Sequence, residues 1–282
     1  MQQILSFIRT ELKELYTLSE IQTFTFQLMK FVCRMDKQAV LLDKGKKIST
    51  NECAEIERCV ADLKKFRPIQ YVTGETEFYG LPFNVYEGVL IPRPETEELV
   101  EVLINTLKEE NRLNEKITIL DVGTGSGCIA VSLKKNLPYA KVSALDVSSQ
   151  ALETARQNAK QNKVEIAFLH TDVLNDEIPG KWDVIVSNPP YITPLEKENM
   201  AANVLNFEPH EALFVPQDNP LLFYEKIADK GLTQLNADGL LFFEINPLFG
   251  REVSLQLKEK GYKNVSLLTD ISGNERMIKA RL

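Results

Sequence analysis

Apolar stretches and amphipathic stretches alternate along the chain from Ile117 to the C-terminus. The apolar stretches have the length of buried strands, and the amphipathic ones have the three-and-four spacing of helices. We predict strands at 117–121, 141–146, 165–170, 182–187, 239–245, 265–268 and 276–281, and helices at 126–136, 149–162, 221–236 and 251–260. Such alternation is typical of a parallel, doubly wound sheet with helices on both faces. We therefore predict an α/β fold that closes with an antiparallel strand pair.

The N-terminal part of the chain has a helical pattern without strands. Apolar residues recur at three and four spacing from Ile4 to Leu15, and Ser49 precedes a further helix-like stretch as a capping residue. We predict a small domain of four or five helices over residues 1–75, which we expect to recognise the substrate.

Residues 76–94 have a third texture, with short apolar stretches separated by glycine and proline. The stretches 83–85 and 89–91 predict a β-hairpin that links the helical domain to a sheet domain over 95–282. A helix should begin at Pro94, because proline suits the first helical turn.

Composition excludes several classes of protein. The 282 residues include 33 Lys and Arg against 40 Asp and Glu, a formal net charge of −7. Tight nonspecific binding to nucleic acid depends on clustered Lys and Arg, so this balance argues against it. The four cysteines form no CxxC pair and suggest neither a metal site nor disulfides. No signal peptide or long apolar span is evident, so we expect a cytoplasmic monomer without a membrane partner.

The first predicted strand runs into a glycine-rich turn, ILDVGTGSGCIA. Gly123, Gly125 and Gly127 allow a sharp turn and let a ligand approach the backbone without Cβ atoms in the way. Three such glycines are weak evidence alone, but a turn between strand and helix is where ligands bind in these sheets. The dinucleotide fingerprint would need a glycine where Cys128 stands, and no hydride-transfer group is evident. S-adenosylmethionine therefore fits better than NAD.

Two acidic residues follow the next two predicted strands. Asp146 lies about 20 residues past the glycine turn, where a carboxylate can accept both ribose hydroxyls of an adenosine. Its alternative role is to cap the helix that begins near Ser148. Asp172 either meets an adenine amino group or caps the segment after it, and Val173 beside it would pack on the adenine face.

The stretch VSNPPYIT puts two prolines directly after the fourth predicted strand. Its plain interpretation is a rigid exit turn, but a chance Asn-Pro-Pro-Tyr in this chain has odds on the order of one in a thousand. The two prolines hold Asn188 and Pro189 extended. A planar amide or aromatic amine is a poor nucleophile because its lone pair is delocalised. The Asn188 side-chain oxygen and the Pro189 carbonyl would accept its N–H groups and stabilise the charge that grows as a methyl group arrives, while Tyr191 packs against its flat face.

Six stretches resemble motifs of the peptide chain release factor glutamine methyltransferases of the HemK/PrmC type. They are RPIQYVTG (67–74), VLIPRPETE (89–97), DVGTGSG (121–127), NPPY (188–191), FEPHEAL (207–213) and DISGNER (270–276). The resemblance covers nearly the whole chain, and IPRPETE is its most specific part because generic amino methyltransferases lack it. It implies a Rossmann-like class I methyltransferase fold. It also implies methyl transfer from S-adenosyl-L-methionine to the side-chain amide nitrogen (N5) of the glutamine in the Gly-Gly-Gln motif of release factors.

The resemblance also implies roles for single residues. Cofactor contacts are expected from Gly123, Thr124, Gly125, Ser126, Gly127, Asp146, Val173 and Asn188, with Asp172 added from its position. The substrate glutamine is expected on Asn188, Pro189, Pro190 and Tyr191, with Asn188 and Pro189 as the catalytic groups. Arg93 and Glu97 would close the pocket from the linker side, or else form an exposed ion pair at a helix start. The family usually has glycine and glutamine where this chain has Asn246 and Phe249, which leaves the geometry of that turn open.

Two other functions are weighed against this one. A nucleic-acid adenine N6 methyltransferase faces the same nitrogen chemistry, and the same Asn-Pro-Pro-Tyr stretch would serve it. The acidic charge and the lack of a basic recognition insert argue against it. A noncatalytic binding module would keep the fold alone, but the intact glycines, Asp146 and Asn188 argue for an enzyme. We therefore expect a release factor as the partner and no direct contact with nucleic acid.

Overall fold

The structure is a computed structural model that describes residues 1–43 and 45–282. The chain divides into two compact units. The first unit comprises Met1–Gly74 and Ala201–Phe207, and the second comprises Glu75–Met200 and Glu208–Leu282. The sequence predicted three consecutive segments, 1–75, 76–94 and 95–282, so the assignment of 201–207 to the first unit is new. Within the described residues, no helix combines the length and the apolar character needed to cross a membrane.

Residues 1–74 of the first unit are helical. Helices α1 to α5 span Gln2–Leu12, Leu18–Cys33, Lys37–Leu42, Thr50–Leu63 and Ile69–Thr73. Capping boxes start α2 and α4: the Thr17 and Ser49 hydroxyls each accept a backbone N–H, and a glutamate three residues on bonds back to the cap. Fully buried Ile8, Leu28 and Ile56 come from different helices and share one core. The predicted helical N-terminal region is confirmed.

A β-hairpin begins the second unit, but earlier than predicted. Strands β1 (Glu75–Phe78) and β2 (Leu81–Asn84) pair antiparallel. The turn residues Tyr79 and Gly80 both have positive φ, as a two-residue hairpin turn with the right twist requires. The predicted strand at 89–91 is wrong: Val89 and Ile91 are buried, but residues 89–91 have no strand structure. Two prolines soon after Ile91 remove backbone donors, which disfavours a ladder there.

A mixed sheet is the centre of the second unit. Strands β3 to β9 span Thr118–Val122, Lys141–Asp146, Ala167–His170, Trp182–Ser187, Leu235–Glu244, Lys263–Thr269 and Glu275–Arg281. In the described part of the chain these strands form one sheet in the order β5-β4-β3-β6-β7-β9-β8. The pairs from β5 to β7 are parallel, and β9 is antiparallel to both β7 and β8. The predicted doubly wound sheet with a closing antiparallel pair is confirmed.

Helices cover both faces of this sheet. Helices α6 to α12 span Pro94–Glu109, Cys128–Asn136, Ser149–Gln161, Ala202–Phe207, His210–Leu213, Leu222–Gln234 and Gly250–Glu259, and of these Ala202–Phe207 belongs to the first unit. Successive strand residues point to opposite faces: Phe242 packs in one core with α6 and α7, and Phe243 packs in another with α11 and α12. From β3 the chain builds outward to β4 and β5 on one side and later to β6 and β7 on the other. The strand order thus reverses between β3 and β6, where ligands bind in open α/β sheets.

Candidate active site

A cavity of about 260 Å³ opens at the carboxyl ends of the parallel strands. We call one wall the cofactor side; it consists of the glycine turn 123–127 after β3, Asp146 after β4, and Asp172 and Val173 after β5. We call the other wall the acceptor side; it consists of Thr96, Asn188–Tyr191 and Glu244, although Tyr191 and Glu244 stand behind the residues that line the cavity. The structure thus brings most of the predicted site residues together around one space.

The glycine turn leaves the cavity floor open. Gly123, Gly125 and Gly127 have φ of +71°, +55° and +82°, which side chains rarely adopt. A Cβ atom at Gly123 or Gly125 would meet no atom within 4 Å, whereas one at Gly127 would stand 2.9 Å from Cβ of Ala155 on α8. Gly127 therefore allows close packing behind the turn. The two others form a cradle that a ligand can approach down to the backbone, which fits the predicted cofactor.

Asp146 ties the glycine turn to the end of β4. Its Oδ2 accepts the Gly125 N–H at 2.8 Å, and its Oδ1 accepts the Ser148 N–H at 2.9 Å. Burial raises the pKa of Asp146, against the effect of these hydrogen bonds. The Ser148 hydroxyl caps α8 by accepting the Ala151 N–H, so the alternative that Asp146 is the helix cap is wrong. Each Asp146 oxygen retains acceptor capacity at the cavity wall.

Asp172 lines the cavity, but its carboxylate is used locally. It accepts the Leu174 N–H at 2.8 Å and the Asn175 side-chain N–H at 2.7 Å. Its own N–H donates to Asp176. This is the turn-capping role that the sequence left open for Asp172, and contact with an adenine amino group stays a prediction. Val173 is nearly buried beside it and also lines the cavity.

A chain of hydrogen bonds runs behind the acceptor side. The Asn188 Nδ2 group donates to Thr96 Oγ1 at 3.1 Å, and the Thr96 hydroxyl donates to Glu244 Oε2 at 2.6 Å. The Tyr191 hydroxyl donates to Glu244 Oε1 at 3.1 Å. Thr96 and Glu244 are 2% and 1% exposed, so water does not compete for these bonds. The structure places the Tyr191 hydroxyl on Glu244 and not in the cavity, and its stacking on an acceptor stays a prediction.

Sequence reasoning missed Thr96 and Glu244. Thr96 is the third residue of the PETE stretch (94–97), and the glutamates on either side of it make the stretch resemble a charged helix start. Glu244 ends β7 directly after the apolar run 240–243, and an acid at the end of such a run was the available signal. Burial raises the pKa of Glu244, opposed by the hydroxyls of Thr96 and Tyr191 and by the charge of Arg276.

Arg93 has a different partner from the one considered in the sequence. Its Nη2 donates to Glu208 Oε1 at 2.7 Å, and the other Glu208 oxygen accepts the Ile91 N–H at 3.2 Å. The Glu208 side chain is only 1% exposed. The alternative of an exposed Arg93–Glu97 ion pair is therefore wrong, and Arg93 lines the cavity. Glu97 is partly exposed on the first turn of α6, outside the cavity lining, and its role stays a prediction.

Asn246 settles the geometry of the turn after β7. Its side-chain N–H groups donate to the Tyr191 carbonyl and to the Glu196 carboxylate, each at 3.0 Å. Its Oδ1 accepts the Leu248 N–H at 3.0 Å. Asn246 is 2% exposed and links its own turn to the segment from Tyr191 to Glu196. This chain thus replaces the expected glycine with a residue that fixes the segment after Asn188–Tyr191.

Two family models and many curated proteins match this chain. A family model described as the PrmC N-terminal domain matches residues 3–74, and one described as the methyltransferase small domain matches residues 96–213. A release factor glutamine methyltransferase of Flavobacterium psychrophilum is 45% identical over 95% of this chain and 94% of its own length. A protein of the same name from Bacteroides thetaiotaomicron is 41% identical over 99% of both chains.

Solved structures support the fold. A methyltransferase from Pyrococcus furiosus has a TM-score of 0.52 at 18% identity, covering 83% of this chain and 98% of its own. A 16S rRNA N2 G1207 methyltransferase of T. thermophilus, solved with AdoMet and guanosine, has a TM-score of 0.51 at 17% identity, covering 73% of this chain and 49% of its own. The predicted class I methyltransferase fold is confirmed. With relatives 41–45% identical over nearly its full length, the chain belongs to the release factor glutamine methyltransferase family.

Proposed function

We propose that this protein transfers a methyl group from S-adenosyl-L-methionine to the side-chain amide nitrogen (N5) of the glutamine in the Gly-Gly-Gln motif of peptide chain release factors. The observation that carries the proposal is one cavity with an open glycine cradle on one wall and a proline-stiffened Asn188 on the other. The names of the relatives support the choice of release factors as substrates.

The cofactor side would bind S-adenosyl-L-methionine, which supplies a methyl group on an electrophilic sulfonium. The glycine turn offers close backbone approach, and the Asp146 carboxylate has acceptor capacity for ribose hydroxyls. Val173 offers an apolar surface to the adenine ring. No metal is needed for this transfer, and the described residues contain no cluster of His, Cys, Asp or Glu suited to one.

The acceptor side would hold the glutamine carboxamide in a reactive orientation. The Asn188 Oδ1 atom and the Pro189 carbonyl accept the two N–H groups of the carboxamide, which turns its nitrogen toward the methyl group. Both acceptors would stabilise the positive charge that develops on that nitrogen as the N–CH3 bond forms in place of the S–CH3 bond. The cofactor would leave as a neutral thioether, and one N–H proton would pass to solvent to give the neutral N-methyl amide. Pro189 and Pro190 restrict the backbone, so this geometry needs little reorganisation during the reaction.

Adenine N6 methylation is the competing activity, because an exocyclic amine could occupy the same acceptors. The net charge of −7 disfavours it, since nucleic-acid binding rests on clustered positive charge. Release factors act on ribosomes, so we expect the protein to work in the cytoplasm. We also expect it to be a monomer.

The direct test incubates the protein with methyl-labelled cofactor and a purified release factor. We expect label on the intact factor and none on a matched factor whose Gly-Gly-Gln glutamine is replaced by alanine. DNA and RNA in parallel reactions should stay unlabelled. Label on nucleic acid, or equal label on both release factors, would contradict the proposed function.

A further inference from the structure

We infer that Thr96 and Glu244 are positioning residues that decide which way the Asn188 side-chain amide faces. The inference rests on the proposed function, in which Asn188 must turn its oxygen and not its NH2 group toward the carboxamide of the substrate. Neither Thr96 nor Glu244 needs to touch the substrate for this role.

The direction of the hydrogen bonds carries the argument. A carboxyl oxygen that carries no proton only accepts hydrogen bonds, so Glu244 Oε2 takes the single hydroxyl proton of Thr96 at 2.6 Å. Thr96 then has only lone pairs left to offer on the side of Asn188. The group of Asn188 that faces Thr96 at 3.1 Å must therefore be its NH2 group. Because Nδ2 is held on Thr96, Oδ1 cannot face Thr96 and is the amide atom left for the cavity that Asn188 lines.

Burial is the largest effect on the pKa of Glu244 and raises it, while hydrogen bonds and a nearby positive charge oppose that rise. Glu244 receives two hydroxyl groups, from Thr96 and Tyr191, and it feels the positive charge of Arg276. Glu95 acts in the opposite direction. Thr96 and Glu244 are almost fully buried, so water does not replace these hydrogen bonds or reverse their direction.

The oxygen and the NH2 group of the Asn188 amide have similar shapes and opposite hydrogen-bonding character. Without the chain of hydrogen bonds, either of them could therefore face the cavity. An Asn188 that turned its NH2 group to the cavity would place a donor against the N–H donors of the substrate. The position of Thr96 gives the PETE stretch a physical role, because it brings an oriented hydroxyl from the start of α6 to the end of β6.

The test compares the rates at which the Thr96→Val and Thr96→Ser variants methylate a release factor. Valine has the shape of threonine without its hydroxyl, whereas serine keeps the hydroxyl. We expect Thr96→Val to lose about 100-fold in kcat, the scale of removing one preorganised hydrogen-bond group. Thr96→Ser should stay within about fivefold of the parent, because it restores the chain. Thr96→Ala is measured alongside, since it also lacks the hydroxyl but places no methyl group against Glu244.

Two further measurements separate orientation from general damage. The Kd of the cofactor, measured by calorimetry, should change less than about threefold in all three variants, because the cofactor side is untouched. In an Asn188→Asp background both side-chain oxygens are acceptors, so orientation no longer matters. Adding Thr96→Val there should cost much less than it costs in the parent, which a double-mutant cycle measures.

Equal kcat losses in Thr96→Val and Thr96→Ser, or no loss in either, would overturn the inference. So would a full additional loss in the Asn188→Asp background, or no turnover at all from Asn188→Asp alone, because the premise is that an oxygen facing the substrate suffices. Failure of the parent protein to methylate the release factor would instead reject the proposed function. The two failures are therefore distinguishable.

Discussion

The cofactor side and the acceptor side of the cavity are built in different ways. The cofactor side is formed mostly by backbone. Its glycine turn lies within five consecutive residues and is hydrogen-bonded to the Asp146 carboxylate. The acceptor side is mostly side chains from separate parts of the chain, with Thr96 and Glu244 separated by 148 positions. The cofactor, a ligand shared by many enzymes, would thus bind to residues that lie close together in the sequence. The substrate carboxamide would bind to an arrangement that only the complete fold assembles.

This difference has a consequence for how each side fails. Damage on the cofactor side should weaken binding of the cofactor, because the ligand lies against the backbone there. Damage on the acceptor side should slow turnover and leave cofactor binding nearly intact. Four experiments can break or sharpen this division, in order of decreasing effect on methyl transfer.

Asn188→Ala should have the largest effect. It removes the acceptor that holds the carboxamide and stabilises its developing charge, so we expect a loss of about 1,000-fold in single-turnover rate. The Kd of the cofactor in calorimetry should rise less than about tenfold. Equal losses in rate and in cofactor affinity would show that the two sides are not separate.

Gly123→Ala should act mainly on cofactor binding. Alanine at φ +71° is strained, and its methyl group would enter the cradle, so we expect the cofactor Kd to rise about 10-fold or more. Gly74→Ala is the matched control, because Gly74 has φ +74° with equal space around it but ends α5 in the first unit.

Both glycine variants should lose about 1–2 kcal/mol of unfolding free energy in urea titrations, from the same backbone strain. Only Gly123→Ala should weaken the cofactor. A similar loss of cofactor affinity in Gly74→Ala would mean that general destabilisation, and not the cradle, explains the effect.

Asn246→Ala should have a moderate effect on turnover, of about fivefold, because the segment after Tyr191 loses its fixed position. Asn219→Ala is the matched control: Asn219 likewise accepts the N–H two residues on and donates to a glutamate, Glu225, away from the cavity lining. Both variants should lose about 1–3 kcal/mol of unfolding free energy. Steady-state kinetics should show slowed turnover in Asn246→Ala alone, and a parallel loss in Asn219→Ala would refute this role.

Asp121→Asn should have the smallest effect on turnover of the four variants. It should instead change how the unfolding free energy depends on pH. Burial raises the pKa of Asp121 to about 7, although the Thr124 hydroxyl and the Ala130 N–H both donate to its Oδ2. Within the described residues its buried Oδ1 has no partner, which leaves a place for a proton.

The sign follows from this raised pKa. Protonated Asp121 stabilises the folded state fully below its unfolded pKa of about 4, and this stability is lost as pH rises to about 7. Asparagine resembles the protonated acid and does not titrate. Urea titrations at several pH values should therefore show a weaker decline of unfolding free energy from pH about 4 to about 7 in Asp121→Asn. Parallel curves for the two proteins would contradict the assignment.

The sheet was predictable because its information is local. Strand residues such as Phe242 and Phe243 lie in apolar runs of strand length, and the helices between strands have clear spacing. The glycine turn and Asp146 were predictable for the same reason. The strand expected at 89–91 failed because its apolar residues are buried as irregular chain, which composition alone does not separate from a strand.

The hydrogen-bond chain behind Asn188 was not predictable in this way. Nothing near Thr96 in the sequence indicates Glu244, because the two meet only when α6 packs beside the end of β7. Arg93 and Glu208 are a second case, since the nearer glutamates of PETE were equally plausible partners. Side-chain pairing at long sequence separation depends on the assembled sheet, whereas strand and turn formation depends on neighbours.

Residues 201–207 impose a limit on truncation experiments. They belong with the N-terminal helices, yet in the chain they lie between Tyr191 of the acceptor side and Glu208, the partner of Arg93. Cutting the protein after Gly74 would leave residues 201–207 without the helices with which they form a unit. A shortened enzyme that loses activity would therefore not reveal whether the missing helices recognised the substrate or only held residues 201–207 in place.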